Sequence, residues 1–233
     1  MEAIEIGKIK SKPKIKIIDN QSILKYFENA NQHNTENISI PVDNSLVRNS
    51  AKAILEFILL LIILLPALFI ILVIAVLLII PNKGKVIFKQ QRIGHKGTPF
   101  TLYKFRTLNG FIDINIEKNT QIIKENTHSF GYFLRKTGLD EILQIVNVIK
   151  GDMNLIGPRP LLMKDLTHLT KSQFYTRHLI KPGILGLWQI KRNYSDDINY
   201  FRYDNLYLKK QSLFLDLYIV FGTVIYMFKG KGR

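Results

Sequence analysis

"FILLLIILLPALFIILVIAVLLII" (Phe57–Ile80) carries no charge at all. As a straight helix it reaches about 36 Å, enough to cross the hydrocarbon core of a bilayer. Pro66 interrupts the run, where it removes a backbone hydrogen bond and bends the helix. The arms on either side of Pro66 come to roughly 14 and 21 Å, each too short to cross alone. Arg48 and Lys52 precede the run, and Lys83, Lys85, Lys89, Arg92 and Lys96 follow it. A spanning helix concentrates Lys and Arg on its cytoplasmic side. Two basic flanks therefore suit a helix that enters, bends at Pro66 and returns to the same face. One kinked transmembrane anchor fits the same residues equally well. The run starts too far along the chain to be a signal peptide.

The 233 residues are enough for one domain with a true core plus an appendage. Hydrophobic residues make up 47%, which excludes a disordered chain. The net charge of +15 asks for a polyanionic partner: nucleic acid, an anionic membrane face or a phosphorylated substrate. There is no cysteine, which excludes disulfides, thiol catalysis and Cys-type zinc sites. His33, His95, His128, His168 and His178 are scattered with no H-x-x-x-H pair, so a His-based metal site is not expected.

Three regions follow: a polar, basic tail over 1–46, a membrane segment over 47–82, and a water-facing domain over 83–233. The lysine-rich tail reads as solvated or resting on anionic lipid. Short β-favouring runs at Val86–Phe88 and Phe100–Phe105, separated by Gly94 and Gly97, predict a hairpin. Residues 111–128 are polar and read as a surface excursion. Leu166–His178 reads as an exposed helix, and Lys181–Ile190 as a Gly/Pro-punctuated loop. Ser195 is placed to cap a helix ahead of Tyr200–Lys210. Ser212–Phe228 is apolar on most faces, with one charge at Asp216, and reads as a helix lying in the membrane interface, with a buried core helix as the alternative. The fold class expected is α/β, mostly α with a small β-hairpin.

The chemistry concentrates in "KTGLDEILQIVNVIKGDMNLIGPRP" (Lys136–Pro160). With Thr137 as N-cap, Asp140 falls at N3 and Glu141 just after it. Leu139, Ile142, Leu143, Val146 and Ile149 form an apolar stripe, and Gly151 ends the helix. About 100° of helix rotation separates Asp140 from Glu141, so they do not share a proton as a facing dyad. An ionised first-turn Asp has two uses: nucleophile towards phosphorus, or Mg²⁺ ligand. The plainer alternative is that both acids only cap the helix. Pro158 and Pro160 fix the backbone around Arg159, and a rigid arginine suits bidentate phosphate binding. Arg92, Lys104 and Arg106 are further candidates to line an anionic pocket. Basics and acids together describe a site for a phosphorylated substrate and a divalent metal, beside a membrane.

Four stretches in this order, "GKVIFKQQRIGHKGTPFTLYKFRT", "LRKTGLDEILQIVNVIKGDMNLIGPRP", "KPGILGLWQIKRN" and "FRYDNLYLKKQSLFLDLYIVFGT", resemble the bacterial sugar transferases, the monotopic phosphoglycosyl transferases. The likeness covers about residues 48–230. It implies transfer of a sugar-1-phosphate from a UDP-sugar to a polyprenyl phosphate such as undecaprenyl phosphate, with release of UMP, as the first membrane step of exopolysaccharide or lipopolysaccharide synthesis. It implies a bent re-entrant helix in the inner (cytoplasmic) membrane, a catalytic domain facing the cytoplasm with interfacial helices, and Mg²⁺ as cofactor. By the same resemblance Asp140 is the nucleophile and lies near the metal, and Glu141 assists as base or positions the groups. Arg159 binds phosphate, and Arg135 helps hold the substrate or the membrane helix. Anionic lipid is a further partner, a homo-oligomer is compatible, and nucleic acid is not expected. The chain departs from the family pattern at three places. Lys52 and Glu56 stand at the start of the membrane helix, Leu65 stands before Pro66 where Ser is common, and Leu185 stands where Thr is usual.

Two other classes compete. A membrane-anchored nucleic-acid binder needs basic residues interleaved with exposed aromatics on one sheet. Here Lys and Arg are spread over tail, flanks and loops, and the central motif is acidic. An inactive scaffold for glycan assembly is the other, and the intact Asp140–Glu141 pair argues against it. Ordinary glycosyl transfer, releasing UDP, is the runner-up chemistry.

Overall fold

The computed structural model describes residues 46–108, 126–191 and 200–228. The expected tail over 1–46 except its last residue, most of the excursion and the Ser195 cap lie outside the described residues.

Helix α1 (Leu46–Ile79) runs unbroken for 34 residues through Pro66. It starts eleven residues before the uncharged run, because Lys52 and Glu56 find partners on the domain described below. Its two arms pack on different parts of that domain. Leu59 and Leu60 lie against a cluster of Leu155, Ile156, Leu187, Tyr207 and Ile219. Ile74 and Leu78 are buried with Phe105, Leu134 and Leu143. Between the arms most side chains are exposed, Leu65 at 77% beside Pro66, while Ala67 on the other side of Pro66 is buried at 2%.

The hairpin is present: β1 (Ile87–Ile93) pairs antiparallel with β2 (Pro99–Phe105), in register from Ile87–Phe105 to Ile93–Pro99. β1 is longer than its apolar residues suggested, because Lys89, Gln90 and Gln91 continue the ladder. On β2 the buried residues Phe100, Leu102 and Lys104 alternate with half-buried Thr101 and Tyr103, the period of a strand covered on one face. Lys96 and Gly97 turn the hairpin with positive φ, 53° and 76°.

Next come α2 (Ser129–Thr137), a 3₁₀ turn (Leu139–Gln144) and α3 (Ile145–Ile149). Strand β3 (Asn154–Ile156) precedes another 3₁₀ turn (Met163–His168) and α4 (Lys171–Arg177). Strand β4 (Gly183–Leu185) runs parallel to β3, followed by α5 (Leu187–Lys191), α6 (Tyr200–Lys210) and α7 (Leu213–Phe228).

Three sequence expectations are corrected. The loop expected at Lys181–Ile190 holds a strand and a short helix, so a second, parallel pair joins the hairpin. That pair is short and rests on glycine: a Cβ on Gly183 would sit 2.0 Å from the Gly157 nitrogen. The exposed helix expected at Leu166–His178 is two pieces, and its second half is core. Phe174, Arg177 and His178 are at most 4% exposed. The single helix expected with Thr137 as its N-cap starts after Gly138 instead and is a 3₁₀ turn followed by a short α-helix. α7 exposes Phe214 and Phe221 while burying Ile219 and Asp216, in keeping with a helix that is apolar outward as well as inward.

Candidate active site

Thr137 does not cap the acidic turn. It is the last residue of α2, and its hydroxyl donates back to the carbonyls of Phe133 and Leu134. Gly138 follows in the left-handed region, φ 78°, ending α2 and starting the 3₁₀ turn. That tight turn places Asp140 and Glu141 about 120° apart rather than 100°. Their surroundings differ accordingly. Asp140 is buried, while Glu141 reaches across to β2, where Lys104 Nζ donates to its Oε1 at 2.7 Å. Leu143, one turn on, packs against Ile74 and Leu78 of α1. The acidic turn is thus seated directly on the long apolar helix α1.

Glu141 opens onto a pocket lined also by Arg92, Lys104, Gln144, Arg159 and Trp188. Three cations face one carboxylate, so the pocket favours an anion. Arg92 is anchored, donating from Nη1 to the Pro160 carbonyl at 3.1 Å and from Nη2 to Gln90. The Arg159 guanidinium lies over the Trp188 ring, 4.5 Å from its centroid.

Local chain geometry delivers Arg159. Gly157 N–H donates to the Leu185 carbonyl and Gly183 N–H to the Pro158 carbonyl, both at 2.9 Å. The "IGPRP" and "PGILG" segments therefore bind each other backbone to backbone, with no side chain between them. Beneath, Arg177 of α4 and Asp204 of α6 form an ion pair buried to 3% and 2% exposure. Arg177 also donates to the Arg159 carbonyl. Burial pushes the Asp204 carboxyl upward, against the opposing pull of Arg177 and of the Arg159 backbone N–H.

Of the residues expected at the site, Arg92, Lys104, Glu141 and Arg159 meet in the pocket. Asp140, the chain neighbour of Glu141, is buried and does not line the pocket. Arg106 lies over the Phe88 ring, 6.0 Å away, and Arg135 donates to Thr107 Oγ1 at 3.3 Å, so neither lines the pocket. Among the described residues no group of three or more His, Asp or Glu converges on one point. Mg²⁺ often takes one or two carboxylates and completes its shell with water and substrate phosphates. The Asp140–Glu141 turn beside an anion pocket fits such a partial site.

Sequence reasoning missed Trp188, Gln144, Arg177 and Asp204. Asp204 carried a signal, since it lies three residues before the fully buried Tyr207 on one face of α6. It also missed a second polar cluster, where α1 meets the domain. Lys52 Nζ donates to Tyr207 Oη at 2.6 Å and lies 3.6 Å from Glu56 and 3.9 Å from Asp216. Tyr207 donates in turn to Asp216 at 2.8 Å.

Comparison with known proteins agrees with this layout. The model of the bacterial sugar transferase family matches residues 47–230. The chain is 45% identical over 141 residues to an uncharacterized sugar transferase, EpsL, of Bacillus subtilis, covering 60% of this chain and 68% of that protein. It is 40% identical over 159 residues to the UDP-glucose:undecaprenyl-phosphate glucose-1-phosphate transferase of Klebsiella pneumoniae, covering 64% of this chain but 33% of that protein. It is 34% identical over 167 residues to the exopolysaccharide production protein ExoY of Rhizobium meliloti, covering 60% of this chain and 69% of that one. With the match running through the acidic turn, the Pro-Arg-Pro segment and the apolar helix α1 alike, the chain belongs to the bacterial sugar transferase family.

Proposed function

We propose that this protein transfers a sugar-1-phosphate from a UDP-sugar to undecaprenyl phosphate or a similar polyprenyl phosphate, releasing UMP. The observation that carries this reading is the seat of Asp140–Glu141. The pair lies beside a cationic pocket on one side and is packed through Leu143 onto α1 on the other. A water-soluble diphosphate and a membrane-bound phosphate can meet there. The relatives named for undecaprenyl-phosphate sugar transfer support the same substrates.

In this reading an Asp140 carboxylate oxygen attacks the β-phosphorus of the UDP-sugar. The bond from that phosphorus to the bridging oxygen breaks, and UMP leaves with the electron pair. The sugar phosphate stays on Asp140 as an acyl phosphate. An oxygen of the lipid phosphate then attacks the same phosphorus and releases Asp140. Arg159 and Arg92 neutralise the diphosphate, and Glu141, held by Lys104, orients the incoming groups. Asp140, with substrate oxygens, would hold a Mg²⁺ ion, which would supply charge neutralisation when bound.

The membrane helix is re-entrant in this reading. Both its arms rest on one domain while Leu65, Leu68 and Phe69 near Pro66 are exposed, which suits both ends lying on the same side of the inner membrane, with the domain in the cytoplasm. The deciding assay is nucleotide release by the detergent-purified protein with Mg²⁺, undecaprenyl phosphate and a panel of UDP-sugars. UMP release that is lost in Asp140→Asn is expected. Release of UDP, or no turnover on any donor, overturns the reading.

A further inference from the structure

Arg159 is held at both ends by residues that no part of the reaction above uses. Its backbone carbonyl accepts from Arg177, whose charge is paired with Asp204 in the core. Its guanidinium rests on the indole of Trp188. Trp188 is itself fixed. Gln189 brackets the turn that carries it, accepting from Gly186 N–H at 3.0 Å and donating to the Ile184 carbonyl at 2.9 Å. The indole edge packs so closely on Gly186 that a Cβ there would lie 2.6 Å from the ring. Trp188 is 6% exposed and is the one tryptophan in the chain.

We infer that Trp188 is a positioning residue that holds the Arg159 guanidinium in the plane where it meets a phosphate group, with Arg177 fixing the backbone beneath it. The inference rests on the proposed role of Arg159 in phosphate binding. An arginine on an exposed turn samples many rotamers, and each must be given up when a ligand binds. An aromatic face beneath the guanidinium removes that freedom beforehand and leaves the N–H edge open to a phosphate. The stack acts on ground-state binding, so its loss raises KM and leaves kcat nearly unchanged.

Because Trp188 is the sole tryptophan, its emission reports the state of Arg159 directly. In the full-length protein in detergent, Arg159→Met is expected to change the emission of the unliganded protein. Titration of the wild type with UDP is expected to give a saturable change that Arg159→Met abolishes. In the turnover assay Trp188→Leu should raise the KM for the donor about tenfold, and Trp188→Phe, which keeps an aromatic face, less than about threefold. Emission that ignores Arg159→Met, or equal impairment of the Phe and Leu variants, overturns the inference. So does a wild-type emission unmoved by UDP while UMP release still needs Asp140, and then the reaction stands without the stack. An emission that responds to UDP in a protein that releases no UMP leaves the stack in place and sinks the reaction instead.

Discussion

Lys104 Nζ lies 2.7 Å from Glu141 Oε1, with both side chains at most 16% exposed. The pair ties β2 of the hairpin to the acidic turn, so the hairpin sets where Glu141 points. Breaking such a pair by removing one partner leaves a charge in a poorly solvated place, at roughly 3–5 kcal/mol when fully buried and less here. Lys104→Met should therefore cost about 2–3 kcal/mol and most of the activity. Glu141→Gln, which keeps a hydrogen-bond acceptor for Lys104, should cost less stability than Lys104→Met. Urea unfolding of both variants in one detergent checks the order.

The glycine clasp between β3 and β4 yields a sharp contrast. Gly138 has open space where a Cβ would go but a φ of 78°, so Gly138→Ala should cost about 1 kcal/mol through backbone strain alone. Gly183 has no such space, since its Cβ would meet Gly157 backbone atoms at 2.0 to 2.6 Å. Gly183→Ala should part the strands and abolish folding or lower Tm by more than ten degrees, several times the shift of Gly138→Ala. Thermal scans of the two proteins side by side measure it.

His178 is buried against Phe174, its ring Nδ1 2.6 Å from the Phe174 carbonyl, and desolvation, aided by neighbouring Arg177, lowers its pKa to about 3. The folded protein keeps this imidazole neutral where the unfolded chain protonates it. Stability is thus present above the unfolded pKa near 6.5 and falls as pH drops from there towards 3, by about 1.4 kcal/mol per pH unit in the middle of that window. His178→Asn should be less stable at pH 7.5 but show a flatter pH dependence between pH 6 and 4. An unchanged slope would mean that other groups carry the acid sensitivity.

Tyr207 Oη is the hub between α1 and α7, accepting from Lys52 and donating to Asp216. Tyr207→Phe removes both bonds without changing shape and leaves two buried charges short of a partner, which should cost about 1–3 kcal/mol. Limited proteolysis ought to show faster cleavage near the start of α1 in this variant than in the wild type.

The absence of cysteine makes topology directly measurable. Ser50→Cys and Lys85→Cys flank the apolar part of α1. With a re-entrant helix, both thiols in inside-out vesicles react with an impermeant maleimide. Reaction at one position only would establish a full span. Pro66→Ala, which restores a helical hydrogen bond, should shift the population towards that spanning form.

The residues that declare themselves in sequence are those whose chemistry is local. The apolar run, the alternation on β2, the acidic pair and the Pro-Arg-Pro rigidity all follow from neighbours a few positions apart, and the structure puts Glu141, Arg159, Lys104 and Arg92 around one pocket. What stayed hidden depends on distant partners. β3 and β4 are three residues each, and only their mutual approach through Gly157 and Gly183 makes them strands. Arg177 reads as an ordinary surface charge until Asp204 is found against it, 27 positions later. Arg106 and Arg135 share the residue type of Arg159, but ring stacking and a threonine hydroxyl take them elsewhere.

Leu78 is fully buried and Ile74 nearly so, both inside the same cluster as Leu134 and Leu143 on either side of the acidic turn. The anchor is therefore also masonry. A fragment cut free after Ile80 for the sake of solubility would open that cluster to water and unseat Asp140 and Glu141 together. The domain emerges from the ribosome after α1, so its acidic turn finds its foundation already made when it folds. A chain that lacks α1 lacks the floor beneath its carboxylates.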